Sequence, residues 1–393
     1  MKTLIELYDE RPIENVLATE VFRPERTVYL CPQEVINDKR IQTKLREYFA
    51  HRGIETELVF LESSIYNTDK LQKQLRSVAE QYGDCMIDIT GGTDDALFAC
   101  GMLCAEYNIP TFTYSRKSNC FYNIKNAPFA DKLICTVKHK VEDCFLMAGG
   151  AMRSGRVDNS LLTRYMNDID PFFRVYLKHR INWTRIVSYI QKTSQRSEDQ
   201  PVKLEVSGAY SVKSNRSTVN APDECLYDLE AIGFLSDVSI SRERVEYTFK
   251  DEQMRTWLRD IGSVLELYVY KTCLDTGIFN DVFTSAVVDW EGGFLRDNVT
   301  NEIDVMAMYG TLPVFISCKT CSISTEALNE LAVLRDRFGG FVAKAAIVTA
   351  QKCRSITRHR ASELGIEIID LDDLKSGRTA KHIKNMILRG TEK

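Results

Sequence analysis

Two pairs of polar side chains lie in neighbouring apolar segments of the last third of the chain. Glu302 and Asp304 belong to the run 302–308, and Ser317 and Lys319 end the run that begins at residue 313. Both runs are typical of β-strands, in which side chains two positions apart share a face. A carboxylate and a lysine on one face of such a hairpin suit phosphodiester hydrolysis, because the carboxylate can hold a divalent cation while the lysine positions the attacking water. A cross-strand ion pair on a solvated face is the alternative interpretation.

A third acidic side chain precedes this hairpin. Glu266 lies within a long helix predicted for residues 253–274. From that helix its carboxylate could project toward the same cation.

A glycine-rich turn in the first third has the composition of a phosphate-binding site. Gly91 and Gly92 join a predicted strand, 85–89, to a predicted helix, 94–107. Glycine lets a ligand approach the backbone closely, and the free amides at the helix start favour an anion. Thr90 and Thr93 can add hydroxyl donors. A plain helix start capped by Thr93 or Asp94 is the alternative. The turn matches neither the Walker A nor the GxGxxG pattern, which disfavours nucleotide triphosphate hydrolysis and NAD binding.

A second loop, Tyr8 to Asn15, follows the first predicted strand. Pro12 and Asn15 suit a tight turn that opens a helix. Arg11 could meet a phosphate or could pair with Glu14 at the surface. Arg116 follows the last strand of this region and is expected at the same edge.

The first 115 residues alternate predicted strands with predicted helices. The strands are 3–7, 27–31, 57–61, 85–89 and 111–114, and the helices are 37–52, 69–82 and 94–107. Such alternation predicts a Rossmann-like parallel sheet, whose ligands lie beyond the carboxyl ends of the strands. Both candidate phosphate loops start at those ends.

The remaining chain divides into two further regions. Residues 182–250 fit a winged helix, with helices near 182–191 and 222–232 and strands at 235–240 and 245–249. The last third has the order α-β-β-β-α-β, a mixed α/β domain. We therefore predict three domains, 1–145, 146–252 and 253–393.

Composition limits the possible classes. The chain has 393 residues, a net charge of −4 and 12 scattered cysteines. The acidic balance confines nucleic-acid contacts to local patches. The absence of an apolar run of about 18 residues argues against a membrane span. No export signal is apparent, so we expect reduced thiols and a cytoplasmic location.

The pairing of the early loop with the strand–TGGT–helix turn resembles the CARF domain. That family senses cyclic oligoadenylates made by type III CRISPR complexes, and it implies a homodimer with the ligand across the two-fold axis. The family often has lysine after TGGT, whereas this chain has Asp94. The candidate ligand-binding residues are Tyr8, Asp9, Arg11, Pro12, Asn15, Thr90, Gly91, Gly92, Thr93, Asp94 and Arg116.

The set of a helix glutamate, a strand aspartate and a hairpin lysine resembles the PD-(D/E)xK nuclease superfamily over residues 255–370. The family usually has a carboxylate two residues before the lysine, where this chain has Ser317. A water, a backbone oxygen or a carboxylate of the next helix would replace it, and Glu330 is preferred to Glu326. The candidate catalytic residues are Lys319, Asp304, Glu266, Glu302, Ser317 and Glu330, with Asp304, Glu266 and Glu330 as metal ligands.

The combination of these domains resembles the CRISPR ancillary nucleases activated by cyclic tetra-adenylate. The resemblance implies cleavage of DNA, and of single-stranded RNA in some members, with Mg²⁺ or Mn²⁺ as cofactor. The alternative is a ligand-responsive transcription regulator that reads DNA with its winged helix and carries a degenerate nuclease domain.

Overall fold

A computed structural model describes residues 2–63, 67–153, 158–195, 202–214, 217–293, 299–340 and 342–388. The N-terminal domain contains strands β1 Thr3–Leu7, β2 Arg26–Cys31, β3 Glu57–Glu62, β4 Cys85–Asp88, β5 Thr111–Ser115, β6 Cys120–Lys125 and β7 Leu133–Ile134. Its helices are α1 Leu17–Phe22, α2 Gln33–Asn37, α3 Lys39–His51, α4 Thr68–Tyr82, α5 Asp94–Tyr107 and α6 Val141–Met147.

The N-terminal strands form one sheet in the order β3-β2-β1-β4-β5-β6-β7. The first five strands run parallel, and β6 and β7 are antiparallel additions. The predicted Rossmann-like sheet is therefore confirmed. The central strands are buried on both faces, as expected for a parallel sheet covered by helices. Because β1 and β4 are parallel neighbours, the loops after Leu7 and Asp88 leave the sheet at the same edge.

The middle region is α-helical at first and then contains small sheets. Its elements are β8 Ala151–Arg153, α7 Asn159–Leu162, α8 Met166–His179, α9 Trp183–Thr193, β9 Glu205–Ala209, β10 Ser211–Ser214, β11 Ser217–Asn220, α10 Asp223–Ala231, β12 Leu235–Ile240 and β13 Arg244–Phe249. Strand β13 lies between β12 and β9, and β10 pairs with β11. The helices and the β12–β13 pair agree with the predicted winged helix, whereas β9, β10 and β11 were not predicted.

The C-terminal region contains α11 Glu252–Leu258, α12 Ser263–Asp275, β14 Asp281–Asp289, β15 Thr300–Tyr309, β16 Leu312–Lys319, α13 Thr325–Gly339, β17 Lys344–Thr349, α14 Ser355–Glu363, β18 Ile366–Ile369, α15 Leu371–Lys375 and α16 Thr379–Leu388. The sheet order is β18-β17-β16-β15-β14-β8. Its last strand is β8, which comes from the middle region and pairs antiparallel with β14.

The single long helix predicted for 253–274 is wrong, because the chain breaks between α11 and α12. Asp260 occupies the break and accepts hydrogen bonds from the amides of Gly262 (2.9 Å) and Ser263 (2.8 Å). These bonds satisfy amides at the start of α12, which otherwise lack partners in the helix. The break therefore makes a new helix start three residues before Glu266.

The middle region and the C-terminal domain share one hydrophobic core. Trp183 and Phe234 of the middle region belong to the same buried cluster as Leu265 and Val269 of α12. Phe173 of α8 stacks on Tyr268 of α12 with ring centroids 3.6 Å apart. The opposite face of the C-terminal sheet packs on α13 and α6 in a separate cluster.

Candidate active site and candidate activator site

Asp304 lies at the centre of the candidate active site. Its Oδ2 accepts hydrogen bonds from the Cys318 amide (2.6 Å) and the Ser317 hydroxyl (3.0 Å). The Lys319 Nζ lies 3.9 Å from the same oxygen. All three donors come from the end of β16, so the hairpin brings Asp304, Ser317 and Lys319 together.

The two oxygens of the Asp304 carboxylate differ in the hydrogen bonds that they accept. Within the described parts of the chain, Oδ1 of Asp304 accepts no hydrogen bond, while Oδ2 receives all of the contacts named above. A carboxylate oxygen that remains open beside a lysine suits a divalent cation, which prefers oxygen ligands. The residues of the hairpin therefore fit the cation that the sequence predicted.

Burial raises the pKa of the Asp304 carboxyl above its ordinary value. Lys319, the Cys318 amide and the Ser317 hydroxyl act in the opposite direction, and the Glu330 carboxylate adds to the increase. The carboxylate is thus partly desolvated, and its charged form depends on cationic and hydrogen-bonding neighbours. A bound divalent cation would stabilise that charged form further.

Around Asp304, the side chains of β15 do not alternate strictly between the two faces of the sheet. Strict alternation was the basis for expecting Glu302 and Asp304 to share a face. Ile303 packs in the core on the α13 side, together with Met306, whereas Val305 packs in the core on the α12 side. The pairing between β14 and β15 is interrupted opposite Asp304, where Ser285 has φ +54°. The ladder between β15 and β16 ends at the pair of Val305 and Ile316, so Asp304 and Ser317 are the next residues beyond it.

Glu266 lies in the first turn of α12, which packs against the β15–β16 face of the sheet. After burial, the carboxylates of Asp304 and Glu266 are the strongest influences that raise the pKa of the Cys318 thiol. Both carboxylates are therefore close to Cys318, on the hairpin strand that carries Lys319. A Cβ atom at Gly262 would approach the Glu266 Oε1 to 2.6 Å, so glycine leaves the room that this carboxylate occupies.

The remaining acidic candidates lie around this centre. Glu330 is exposed on α13, accepts a hydrogen bond from the Asn301 side-chain amide (2.9 Å) and is close enough to influence Asp304. Glu326 lies exposed in the first turn of α13. Glu302 is half-buried on β15 opposite Val287. Of the two candidate glutamates on α13, Glu330 is the one that raises the pKa of Asp304.

Asp9 joins the two loops of the candidate activator site. Its Oδ1 accepts from the Arg11 backbone amide (2.9 Å) and the Arg11 Nε (2.6 Å), and its Oδ2 accepts from the Gly92 amide (3.0 Å). Although burial opposes the change, these hydrogen bonds hold the pKa of Asp9 below its ordinary value. Asn15 exchanges two hydrogen bonds with the Asp9 backbone, which closes the 3₁₀ turn Pro12–Asn15.

The TGGT turn packs tightly against the first loop. A Cβ atom at Gly91 would approach the Asp9 Cβ to 2.9 Å, and one at Gly92, where φ is +96°, would approach the Leu7 Cβ to 2.6 Å. Both positions therefore require glycine. Thr93 stands at the N-cap of α5 but makes no side-chain capping bond; its hydroxyl contacts Asp95 instead, and Asp94 is exposed. The α5 amides consequently face outward beside two exposed side chains.

Two arginines meet at a buried glutamate behind these loops. Arg116 Nη2 lies 2.7 Å and Arg11 Nη1 lies 3.3 Å from the Glu14 Oε1. Glu14 is only 4% exposed, so the Arg11–Glu14 contact is not the surface ion pair considered as an alternative. Arg11 also donates to both carboxylate oxygens of Asp9, so Asp9, Arg11, Glu14 and Arg116 form one charged network at this edge.

Three features of this edge were not found from the sequence. Glu6 and Asp88 are buried on adjacent strands, and burial together with the charge of Glu14 raises the pKa of both carboxyls. Glu6 lies inside an apolar run, which predicts buried apolar side chains and no acid. Burial raises the pKa of the Tyr8 phenol, and the charge of Arg337 on α13 opposes this increase. Arg337 therefore lies near Tyr8. The C-terminal domain thus places a cation beside the sensor loops, which only tertiary contacts reveal.

The middle region offers a poor surface for DNA. Helix α10, the second helix of the predicted winged helix, carries Asp223, Glu224, Asp228 and Glu230 and no basic residue. Lys178 and His179 of α8 already contact Asp228. An acidic helix repels the phosphate backbone, so α10 is unsuited to entering a DNA groove.

Comparisons with known proteins agree with this architecture. Residues 251–389 match the family model of the Card1-like endonuclease domain. The structure resembles that of protein VC1899 from Vibrio cholerae with a TM-score of 0.77, 18% identity and coverage of 100% of this chain and 99% of that chain. It also resembles Can2 from Sulfobacillus thermosulfidooxidans, solved in complex with cyclic tetra-adenylate, with a TM-score of 0.68, 15% identity and coverage of 98% and 97%.

A search of curated proteins gave no match. At the identities above, the structural similarity establishes the fold of the whole chain. No helix in the described part of the chain combines the length and apolar character that crossing a bilayer requires. The match of residues 251–389 to the Card1-like endonuclease domain, together with the whole-chain fold shared with a cyclic tetra-adenylate-bound protein, agrees with the resemblance to a CARF-domain nuclease that the sequence indicated.

Proposed function

We propose that this protein is a metal-dependent endonuclease of type III CRISPR antiviral defence that cyclic tetra-adenylate activates. Its substrates would be DNA, which it nicks or cuts in single strands, and single-stranded RNA. The observation that carries the proposal is the meeting of Asp304, Ser317 and Lys319 at the end of one hairpin in an endonuclease domain.

In this proposal, Asp304, Glu266 and Glu330 hold Mg²⁺ or Mn²⁺. When bound, such a cation lowers the pKa of a coordinated water and stabilises charge on the phosphate. Lys319 orients the attacking water or the scissile phosphate from its position beside Asp304, and its ammonium group balances negative charge that develops there. Ser317 holds the Asp304 carboxylate in place with its hydroxyl donor. Gripping phosphates rather than base edges implies little sequence preference.

The activator site is proposed at the edge formed by the Tyr8–Asn15 loop and the TGGT turn. Outward-facing α5 amides and the guanidinium groups of Arg11 and Arg116 supply donors for the phosphates of cyclic tetra-adenylate. The similarity to the fold of Can2, which was solved with this ligand, supports the assignment.

A homodimer through α5 follows from the surface of that helix. Phe98 is 64% exposed and Met102 is 40% exposed, and the two residues lie one turn apart. A Cβ atom at Gly101, which lies between them, would have no neighbouring atom within 4 Å. We refer to these three residues as the apolar face of α5. A helix with apolar residues on all sides is normally covered on all sides. Because α5 begins at the TGGT turn, a two-fold axis along this face brings two activator sites together.

Plasmid nicking tests the proposal. Wild-type protein with cyclic tetra-adenylate and Mg²⁺ or Mn²⁺ should nick supercoiled DNA, and protein without ligand or metal should not. Lys319→Ala should reduce the rate by about a hundredfold or more while ligand binding is retained. Lys344→Ala, on the adjacent strand β17, is the matched control and should nick at the wild-type rate. Equal nicking by Lys319→Ala and wild type would contradict the catalytic assignment.

The alternative, a transcription regulator with a degenerate nuclease domain, predicts a different result. Such a protein would bind a specific DNA duplex in a ligand-dependent way and would not nick it. The acidic α10 disfavours this alternative.

A further inference from the structure

A basic segment follows the strand that lies beside Lys319. Strands β16 and β17 are parallel, and Lys319 is paired with Thr349 at the end of both strands. Residues 350–360 come directly after β17 and contain no acidic residue, and their cations are Lys352, Arg354, Arg358 and Arg360. Since the net charge of the whole chain is −4, this concentration of positive charge is local. We refer to residues 350–354, which connect β17 to α14, as the β17–α14 loop.

Hydrogen bonds hold the start of this loop against the end of β16. The Ala350 amide donates to the backbone oxygen of Lys319 (3.0 Å). The Thr349 hydroxyl donates to the backbone oxygen of Cys321 (2.9 Å), just beyond the end of β16. The β17–α14 loop therefore begins at the edge of the sheet that carries the candidate catalytic residues.

The other side of the β17–α14 loop is fixed by the end of β18. The Cys353 amide donates to the Asp370 Oδ2 (3.1 Å). The Leu371 amide donates to the backbone oxygen of Gln351 (3.2 Å). Because the loop is bonded to both of its neighbours, its backbone has a fixed position relative to the candidate catalytic residues. A support of this kind suits side chains that have to place a ligand.

The two cations of the loop are open to solvent. The Lys352 side chain is 72% exposed, and its Nζ lies 3.2 Å from the Oδ2 of Asp372, which is also exposed. An exposed ion pair of this kind contributes little to stability, so another anion can replace the carboxylate. Arg354 is exposed, and its guanidinium makes no hydrogen bond or ion pair with the part of the chain that the structure describes. Lys352 and Arg354 can therefore donate to an anionic ligand.

Both cations are within reach of a DNA strand whose scissile phosphate lies at Lys319. Thr349 is opposite Lys319 on the adjacent strand. Adjacent strands are about 4.8 Å apart and each further residue adds at most about 3.6 Å, so the Cα atoms of Lys352 and Arg354 lie at most about 16 Å and 23 Å from that of Lys319. One strand of a duplex carries a phosphate about every 3.4 Å, so these limits correspond to about five and seven nucleotides. Phosphates that flank the scissile bond can therefore meet the loop.

We propose that Lys352 and Arg354 bind the phosphate backbone of the DNA substrate and position it at the candidate catalytic residues. This inference rests on the proposed function, since it names a binding surface for the substrate of the same active site. Ammonium and guanidinium groups on a fixed loop suit phosphates of any sequence, as binding without base contacts requires. Both side chains are positioning residues, because they contact phosphates that flank the scissile bond and not the reacting atoms.

The test measures DNA binding and cleavage separately, with full-length Lys352→Ala, Arg354→Ala and the double variant. Fluorescence anisotropy with cyclic tetra-adenylate and EDTA gives the Kd of a labelled DNA duplex at several salt concentrations. Plasmid nicking with activator and Mg²⁺ gives kcat and KM. Lys344→Ala is the matched control, because Lys344 starts β17 at the opposite edge of the sheet. Asp372→Asn is a second control, because it removes the ion-pair partner of Lys352 and keeps the cation.

We expect each single variant to weaken DNA binding by about fivefold to tenfold and to reduce the slope of log Kd against log salt by about one, the change for one lost phosphate contact. In the double variant the two losses should multiply. In nicking, KM should rise while kcat stays within about twofold of wild type, which distinguishes these residues from Lys319. Arg354→Lys should retain DNA binding within about twofold, because it keeps the charge. Asp372→Asn should bind DNA at least as tightly as wild type, and Lys344→Ala should match wild type.

Three results would overturn the inference. The first is the same affinity and salt dependence in the double variant and in wild type. The second is an equal loss of binding in Lys344→Ala, which would show a general effect of net charge. The third is an equal loss in Asp372→Asn, which would show that Lys352 acts through its ion pair. A protein that loses DNA binding in the double variant as expected, but whose wild type nicks no plasmid with activator and metal, would support the binding surface and contradict the proposed function alone.

Discussion

At the scale of single residues, Asp304 has the surroundings of a candidate metal ligand. Its Oδ2 is held by two donors of β16 and lies 3.9 Å from Lys319, whereas its Oδ1 accepts no hydrogen bond from the residues that the structure describes. Since burial raises its pKa, this carboxyl protonates at a higher pH than an ordinary aspartate. Cleavage should therefore decline on acidification earlier than an exposed carboxylate would allow.

Asp88 allows a test of the buried acids beneath the activator loops. Burial raises its pKa to about 7, and Glu14 contributes, while the Thr90 donors oppose the change. A raised carboxyl pKa stabilises the fold below the pKa of the unfolded chain, and this contribution is lost as pH rises toward 7. Asp88→Asn should therefore gain thermal stability relative to wild type between pH 5 and pH 8, by at most about 3 kcal/mol.

Thermal denaturation of both proteins at several pH values measures this difference. Asparagine retains an oxygen that can accept from the Thr90 amide and hydroxyl. Asp131→Asn, an exposed change in the same domain, is the control and should follow wild type. A stability difference that stays constant from pH 5 to pH 8 would show that Asp88 does not titrate in this range and would contradict the prediction.

The residue types and their spacing predicted the Asp304–Lys319 pair, because side chains two positions apart on a strand share a face and can meet those of the neighbouring strand. The same pattern could not predict that the Cys318 amide binds Asp304 (2.6 Å), because this bond forms where the ladder between β15 and β16 ends, beyond Val305 and Ile316. Nor did it reveal Glu6 as a buried acid, since a lone glutamate in an apolar strand carries no signal of its neighbours. The roles of Glu302 and Glu330 remain predictions.

At the scale of elements, helix α5 combines two tasks. Its start lies at the TGGT turn, and its outer side presents the apolar face of α5. Burying this face in a dimer would remove Phe98 and Met102 from water, which stabilises association through the hydrophobic effect. In the proposed homodimer, the position of the activator site on the two-fold axis depends on this helix.

Phe98→Asp should convert the dimer to a monomer, because it places a charge in the centre of the apolar face of α5. Sedimentation velocity would show the change in mass, and activator affinity should fall by at least about tenfold because half of the ligand contacts are lost. Ile356→Asp on α14, at a side chain that is 75% exposed, is the control and should remain dimeric. A wild-type protein that sediments as a monomer with activator bound would contradict the dimer.

The elements of the N-terminal domain follow closely from hydrophobic periodicity. Helix α5 has the predicted bounds, 94–107, and the five parallel strands differ from their predictions by about one residue. The break between α11 and α12 was missed, because the apolar periodicity continues through Arg259–Gly262. The helix is interrupted there by the hydrogen bonds that Asp260 accepts, which the periodicity does not reveal. Strand β8 has three residues, too few for a periodic pattern to be recognised.

At the scale of the whole molecule, the middle region is continuous with the endonuclease domain rather than a free linker. The shared core of Phe173, Trp183 and α12 and the entry of β8 into the C-terminal sheet fix this relation. The chain order alone predicted three successive units, since a shared core depends on which faces meet. The exact domain limits, 1–145, 146–252 and 253–393, remain predictions.

The relation between the two candidate sites is likewise a property of the complete fold. The candidate activator loops and the candidate catalytic residues lie at opposite ends of the hairpin formed by β15 and β16, and the turn of that hairpin is bound to the N-terminal domain through His139.

The most direct test of this account is anomalous diffraction from crystals of the full-length protein grown with cyclic tetra-adenylate and Mn²⁺. The account predicts an anomalous peak about 2.0–2.3 Å from carboxylate oxygens of Asp304 and Glu266, the usual distance for such a cation. Lys319 should lie beside that peak, and the activator should lie between two TGGT turns. A crystal with bound activator in which Asp304 and Glu266 share no metal peak would contradict the account.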